Sequence, residues 1–554
     1  MNSIITIYCI NTGHNIAVEP GESLLSLSRR LDLGFTPISA QVNNRHEHMS
    51  FRIYRPRTIE FLPKTCAAGQ RAYVRSLSMM LYCAISRVCP QAQLTIEHSL
   101  SGGYFCRLGR NVECTPELIE AIKKEMRSLV RRDLPFVLRE TPTSEAIEVF
   151  KRQGLTDKVD LLESSHDMYT KFYTLDGISD NFYSVLAPST AMIDVWDLLP
   201  FKDGLLMMAF DPKDPQHPAK FVEQEKMYKA FTDYIAFNKI IGVDSVSMLN
   251  HAIEHDHAAD LVNVSEALHE KAITRIADEI TRRYNEGGAR VVLISGPSSS
   301  GKTTSTKRLA IQLMTNLLRP QMISLDDYFV DRVHTPRDEK GDYDYESLYA
   351  LDLDQFNKDL TDILAGKEVK MPTYNFQTGQ REYRGNSIVL TPGSILLIEG
   401  IHGLNPELTA LIPDKLKFRL YVSALTTVNI DGHNWIPTTD NRLLRRIIRD
   451  NSYRGTDALN TIRRWPDVRR GEEKWIFPYQ ENADAMFNSS LLYEIAVLGQ
   501  FAEPLLKQVP RDTVEYCEAQ RLLRFIHYFK PIALEAVPST SLMREFLGGS
   551  SFRY

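Results

Sequence analysis

The stretch Gly296-Pro-Ser298-Ser299-Ser300-Gly301-Lys302-Thr303-Thr304 carries the spacing G-x-x-x-x-G-K-[ST], a pattern built to hold phosphate. Its glycines let the backbone curl so that successive N–H groups, those of Ser298, Ser299 and Ser300 among them, turn inward. The helix start that follows, at Thr303 and Thr304, adds partial positive charge. Lys302 would neutralise the β- and γ-phosphates of a nucleoside triphosphate, and the Thr303 hydroxyl would hold Mg²⁺. Further on, Asp326 and Asp327 close an apolar run. A carboxylate there can take the proton of an attacking hydroxyl and help to hold Mg²⁺, although an Asp-Asp helix cap reads the same way. Arg442, Arg445, Arg446 and Arg449 fall at i, i+3, i+4 and i+7, with Arg454 beyond. Four guanidinium groups on one helical face suit a lid that neutralises phosphate charge in a transition state.

These residues need particular elements to bring them together. Val291 to Ser295 is a β-branched strand leading into the loop, and Ser305 to Leu318 reads as an amphipathic helix leading out, with Leu309, Leu313 and Leu317 on one side. Met322-Ile-Ser-Leu reads as a second strand, which delivers Asp326 to the carboxyl edge of an open parallel sheet, where ligands sit. Val264 to Tyr284 is a long amphipathic helix ahead of the first strand, closed by Asn285-Glu-Gly-Gly288.

A chain of 554 residues has room for about three cores. Its net charge of −5 gives no whole-chain argument for nucleic acid or an anionic membrane. Seven cysteines without a C-x-x-C pair fit a reducing cytoplasm rather than a disulfide scaffold. No apolar run approaches the roughly 18 residues of a membrane span, and the N-terminus lacks a signal-peptide pattern. His251, His255 and His257 have metal-ligand spacing, but without a cysteine or a fixed third ligand they read as a solvated helix end.

Residues 1 to about 62 alternate in short β-like runs, Ile4 to Ile10, Ile16 to Val18, Ile38 to Val42 and Thr58 to Phe61, interrupted by one helix, Ser23 to Leu31. The ββαββ order suggests a β-grasp unit. Glu19-Pro-Gly-Glu-Ser-Leu-Leu and Ile38-Ser-Ala-Gln-Val-Asn-Asn resemble the TGS domain of threonyl-tRNA synthetases and some GTPases. From Ala67 to about Leu162 the resemblance continues into the second N-terminal domain of those synthetases, through Thr115-Pro-Glu-Leu-Ile-Glu, Asp133-Leu-Pro and Ser144-Glu-Ala-Ile-Glu-Val-Phe. In the synthetases that domain hydrolyses mischarged tRNA with an H-x-x-x-H pair and a later C-x-x-x-H. Here Arg75 and Met79 stand where the two histidines would fall, and Ser184 to Thr190 holds neither cysteine nor histidine. The expectation is an α+β module without the editing chemistry, retained for binding or assembly.

The second half resembles the uridine kinase/phosphoribulokinase family. The motifs, in family order, are Gly296 to Thr303, Ser324-Leu-Asp326-Asp327-Tyr-Phe, Tyr343-Asp344-Tyr, Met371-Pro-Thr-Tyr374-Asn-Phe, Ile398-Glu399-Gly-Ile and Arg442-Leu-Leu-Arg445-Arg446-Ile-Ile-Arg449-Asp450. The resemblance implies Asp326 as general base, Glu399 as a metal-ordering carboxylate, Asp344 on ribose hydroxyls and Tyr374 lining a base pocket. It departs at Gly379, where uridine kinases carry the histidine that reads the pyrimidine edge. Loss of such a hydrogen bond shifts selectivity by orders of magnitude, which puts uridine itself in doubt. The tail Arg544-Glu-Phe-Leu-Gly-Gly-Ser-Ser reads as a flexible terminus.

Together these readings give a multidomain chain: a TGS-like β-grasp unit (1–62), a synthetase-like α+β domain (63–262), an α/β P-loop kinase domain with a parallel sheet (263–500) and a C-terminal helical extension (501–554). The expected activity is ATP- and Mg²⁺-dependent phosphoryl transfer to a hydroxyl of a nucleoside-like molecule in the cytoplasm. Lys302, Asp326, Arg445 and Arg449 would be catalytic. Residues 296, 298–304 would bind ATP; Asp344, Tyr374, Arg442 and Arg454 would bind the acceptor; Thr303, Asp326 and Glu399 would order the metal. A sugar phosphate or other small alcohol is the alternative acceptor, with Arg381 and Arg384 as candidate cations. An ATP-gated sensor of tRNA, ribosome or amino acid is the alternative class, with RNA or the ribosome met through the N-terminal domains. Self-association stays open.

Overall fold

The computed structural model describes residues 4–109, 111–165 and 167–553. At the front, five strands form one sheet in the order His14–Val18, Ile5–Cys9, Thr58–Pro63, Pro37–Val42, Arg45–Glu47. The first and last long strands, Ile5–Cys9 and Thr58–Pro63, run parallel at its centre. The helix Leu24–Arg29 is capped by Ser23, whose hydroxyl accepts from the Ser26 N–H, and it buries Leu24 and Leu27 against the sheet.

Next comes an antiparallel sheet of Asp197–Phe201, Gly204–Met208, Gly103–Arg107 and Thr95–Leu100, with the helices Ala67–Val88 and Pro116–Arg132 in the same core. Thr115 caps the second helix and Pro116 opens it. Ile119, Ile122, Met126 and Leu129, spaced three and four apart, are its buried stripe. The helix Ala258–Asn285 then runs 28 residues without a break. The expected boundary at 262/263 falls inside it, and that at 500/501 falls inside the helix Glu494–Lys507. Continuous helices carry the chain across both positions.

The sheet of the second half is parallel throughout, in the order Arg319–Ser324, Ser394–Glu399, Val291–Ser295, Lys417–Ser423, Ala485–Asn488. Every residue of Val291–Ser295 is buried, as a central strand covered on both faces requires. Helices Ala258–Asn285 and Lys302–Thr315 share one core with it, and Leu353–Leu364 belongs to the core on the other side. No helix among the described residues is long and apolar enough to cross a membrane.

The two halves are joined by polar contacts as well as apolar ones. Arg75, buried in the helix Ala67–Val88, stacks over Trp435 at 3.7 Å and donates to the Tyr183 hydroxyl (2.6 Å) and to the carbonyls of His433 (3.2 Å) and Trp435 (3.3 Å). Met79 is fully buried. Nearby, Lys158 bridges Asp180 (2.8 Å) and Asp431 (2.7 Å), and His433 meets Asp180 (2.7 Å).

Candidate active site

Gly296 and Gly301 are required by close approach. A Cβ on Gly296 would lie 2.0 Å from the Val422 carbonyl oxygen, and one on Gly301, at φ +82°, would lie 2.8 Å from Leu542. The loop they shape ends at the helix Lys302–Thr315, and Lys302 Nζ donates to the carbonyls of Gly296 (2.9 Å) and Pro297 (3.1 Å). The parallel register puts Glu399 opposite Ile294 on one side and Ser324 on the other. That places Glu399 between the P-loop and Asp326, and Thr303 Oγ1 donates to its carboxylate at 3.2 Å.

The electrostatics bind this group together. Burial lowers the Lys302 pKa, while Glu399, Asp326 and Glu545 act against that fall. Burial raises Asp326, opposed by Lys302, Arg454 and Arg449. Asp326 as a whole residue is exposed to solvent, while the protein packed around its carboxylate supplies the desolvation. Glu399 is pushed up to about 7, chiefly by burial, with Asp326 and Glu545 adding to the rise and Lys302 and the Thr303 hydrogen bond resisting it. A hydroxyl and a carboxylate side by side are hard oxygen donors of the kind Mg²⁺ takes alongside phosphate oxygens, so the set fits that metal.

Asp327 does other work: it accepts the Tyr374 N–H at 3.1 Å and pins the hairpin of Thr373–Asn375 and Gln380–Glu382. Tyr374 is buried among Phe329 (5.5 Å) and Phe376 (5.1 Å). Asp344 accepts the N–H of Glu346 at 3.2 Å. Gly379 sits at φ +71° against Arg332, whose N–H bonds its carbonyl and whose guanidinium would lie within 2.9 Å of any Cβ there. Arginine therefore fills the space beside Tyr374 where the family resemblance would put a histidine.

Three expectations need correcting. The arginine stripe is not one open lid face. Arg442 and Arg445 are fully buried, ion-paired with Glu472 and Glu494. They support the loop from behind: Arg442 donates to the Ser298 carbonyl (2.9 Å) and Arg445 to that of Ser299 (3.3 Å). Both are positioning residues, not acceptor or catalytic ones, while Arg449 and Arg454 do act on Asp326. The Ser298 N–H is not an inward phosphate donor, because Glu472 takes it at 3.2 Å. Arg381 and Arg384 are not free cations: Asp352 pairs with the first (2.8 Å) and Glu382 with the second (3.1 Å). The His251 and His255 rings lie tilted at 4.0 Å, and His255 Nδ1 meets the His251 backbone carbonyl oxygen at 2.8 Å. His251 and His257, with Asp160 and Glu163, line a cavity of about 870 Å³ that shares no lining residue with the P-loop.

Sequence reasoning missed several members of the site. Glu346, raised to about 7 by burial and by Glu472 and Asp344, lies within the field of Arg446 and Lys302. Glu472 and Glu494 stand 30 and 49 residues from the arginines they neutralise, a separation with no local signal. Glu545 comes from the tail, which is not a loose end but packs on the P-loop, with Leu542, Met543 and Phe546 fully buried.

A parallel sheet with a P-loop at its central strand, a helix-borne lysine and two carboxylates at the neighbouring strand ends defines a P-loop kinase. Residues 291–495 match the model of the Phosphoribulokinase / Uridine kinase family. Uridine kinases of Staphylococcus epidermidis and Staphylococcus aureus are each 26% identical over 208 residues, covering 37% of this chain and 91% of theirs. Among solved structures, one described as a possible uridine kinase from Bacillus stearothermophilus matches with 21% identity and a TM-score of 0.24, over 36% of this chain and 89% of that one. Residues 1–290 lie outside the family match.

Proposed function

We propose that the chain transfers the γ-phosphoryl group of ATP to a hydroxyl of a small, nucleoside-like acceptor. The observation that carries this reading is the coupling of Asp326 to Lys302 and of Thr303 to Glu399 at adjacent strand ends. In this proposal Asp326, exposed to solvent and within the field of the P-loop lysine, takes the acceptor proton, a role worth about 10²–10⁴-fold. Lys302 and the loop amides hold the triphosphate; Arg449 and Arg454 oppose the effect of burial on Asp326 and so favour the ionised carboxylate that a general base needs. Thr303 and Glu399 would hold Mg²⁺, which would supply Lewis-acid neutralisation of phosphate charge.

Arg332 beside Tyr374, in place of a base-reading histidine, favours an acceptor other than uridine, with a sugar or another small polyol as the second reading. The N-terminal half is, in this proposal, a TGS-like and a synthetase-like module that hold the kinase domain and perform no hydrolysis. Of the two residues where histidines would be needed, Arg75 is bound to the loop before the arginine helix and Met79 is fully buried. An ATP-consumption assay over nucleosides, sugars and sugar phosphates tests the proposal. At least one acceptor is expected to stimulate ADP release well above the acceptor-free rate. No stimulation by any of them, with ATP bound, would favour the sensor reading.

A further inference from the structure

The tail residue Glu545 reaches the start of the P-loop helix and accepts two hydrogen bonds there, from the Thr304 N–H (3.3 Å) and the Thr304 hydroxyl (2.6 Å). N–H groups in the first turn of this helix are the donors that a P-loop aims at phosphate oxygens. A carboxylate at that point offers negative charge and acceptor oxygen to the same donors and gains from the same helix dipole. It also adds a third acid to Asp326 and Glu399 around a single lysine, and its charge acts on both Lys302 and Glu399.

The tail is firmly seated. Ser541, Leu542, Met543 and Phe546 are fully buried, and Leu542 presses on Gly301. Phe546 lies 5.1 Å from the Arg445 guanidinium, which itself holds the Ser299 carbonyl. Arg544 donates to the carbonyls of Val537 (2.6 Å) and Leu534 (3.1 Å), tying the segment to the chain before it. The tail thus touches Gly301 within the phosphate loop and Arg445, one of the two arginines that hold the loop from behind.

We infer that Glu545 occupies a phosphate position of the P-loop, so that docking of the tail's carboxylate and binding of nucleotide compete. The inference rests on the nucleotide-binding part of the proposed function. A triphosphate arriving at Thr304 needs the same two donors and repels the same charge, so Glu545 must swing away or leave with the tail. The device sets a threshold: nucleotide affinity is reduced by the fraction of molecules in which the carboxylate is docked.

The test uses the full chain and Glu545→Gln, which keeps size and loses charge. Calorimetry with Mg²⁺ and a non-hydrolysable ATP analogue, with AMP, and with adenosine separates phosphate from base recognition. Glu545→Gln is expected to bind the analogue and AMP about tenfold more tightly, with adenosine unchanged. Independently of any variant, amide exchange over residues 541–553 of the unmodified protein is expected to rise when the analogue binds. Analogue affinity unchanged or weakened in Glu545→Gln, or a tail that becomes more protected on binding, overturns the inference. If both proteins bind the analogue equally, only this inference falls; if neither binds it, the kinase reading falls with it.

Discussion

Two charge-rich regions of the molecule, one at Lys158 and one at the P-loop, are built in opposite ways. Around Lys158, every ionic group has been given an internal partner: Asp180 and Asp431 flank the ammonium, and His433 closes onto Asp180. Asp180 is held below its ordinary carboxylate pKa because the neighbouring cations outweigh its burial. Around the P-loop the balance runs the other way. Asp326, Glu399 and Glu346 are all raised by burial that their cations do not cancel, and Asp326 still meets solvent. Matched charges make a joint between the halves; unmatched ones at a crevice are stored for a ligand that brings its own.

The comparison breaks most visibly at Asp326. Asp326→Asn is expected to lower acceptor-dependent ADP release by about 10²–10⁴-fold while leaving nucleotide affinity nearly unchanged, read by turnover and calorimetry on the same preparation. Parallel loss of binding would place Asp326 in the structural class instead. Next in size is the joint. Lys158→Met leaves two buried carboxylates without a cation, and chemical denaturation should register a loss of about 3–5 kcal/mol. Turnover per folded molecule should hold, and a matching fall would mean that the joint also tunes the crevice.

A smaller effect concerns proton and metal at Glu399. Its folded pKa of about 7 lies above the ordinary carboxylate value, so the folded chain keeps this proton until the pH passes about 7. The sign follows: this group costs stability as pH rises from its unfolded value toward 7. A metal must displace the same proton, so apparent Mg²⁺ affinity should rise about fivefold from pH 6 to pH 7, about twofold more by pH 8, and flatten above. Mg²⁺ titrations of nucleotide binding at pH 6, 7 and 8 read it. Glu399→Gln should lack the slope.

The catalytic edge was legible because its signals are local. A β-branched run, a glycine loop and an amphipathic helix stand in sequence at 291–315, Glu399 ends an apolar strand, and Asp326 stands two residues past the end of another. What supports that edge was not legible. A helical wheel puts Arg442, Arg445, Arg446 and Arg449 on one side but does not say what that side meets; here it meets the back of the loop, Glu472 and Glu494. The tail looked loose because its glycines and serines suggest a turn-rich end. Its hold comes instead from Leu542, Met543 and Phe546, three apolar residues too few to show a period. Arg75 is similar: absence of a histidine could be read, but the Trp435 carbonyl it bonds lies 360 residues away.

The central claim is that the P-loop crevice moves phosphate onto an alcohol rather than merely gripping nucleotide. Incubation with γ-labelled ATP and a pool of nucleosides and sugar alcohols, followed by separation of phosphate esters from inorganic phosphate, tests it most directly. The account predicts label in an acid-stable ester with the unmodified chain and none with Asp326→Asn. Label confined to ATP and inorganic phosphate, or equal ester yields from both proteins, would contradict it.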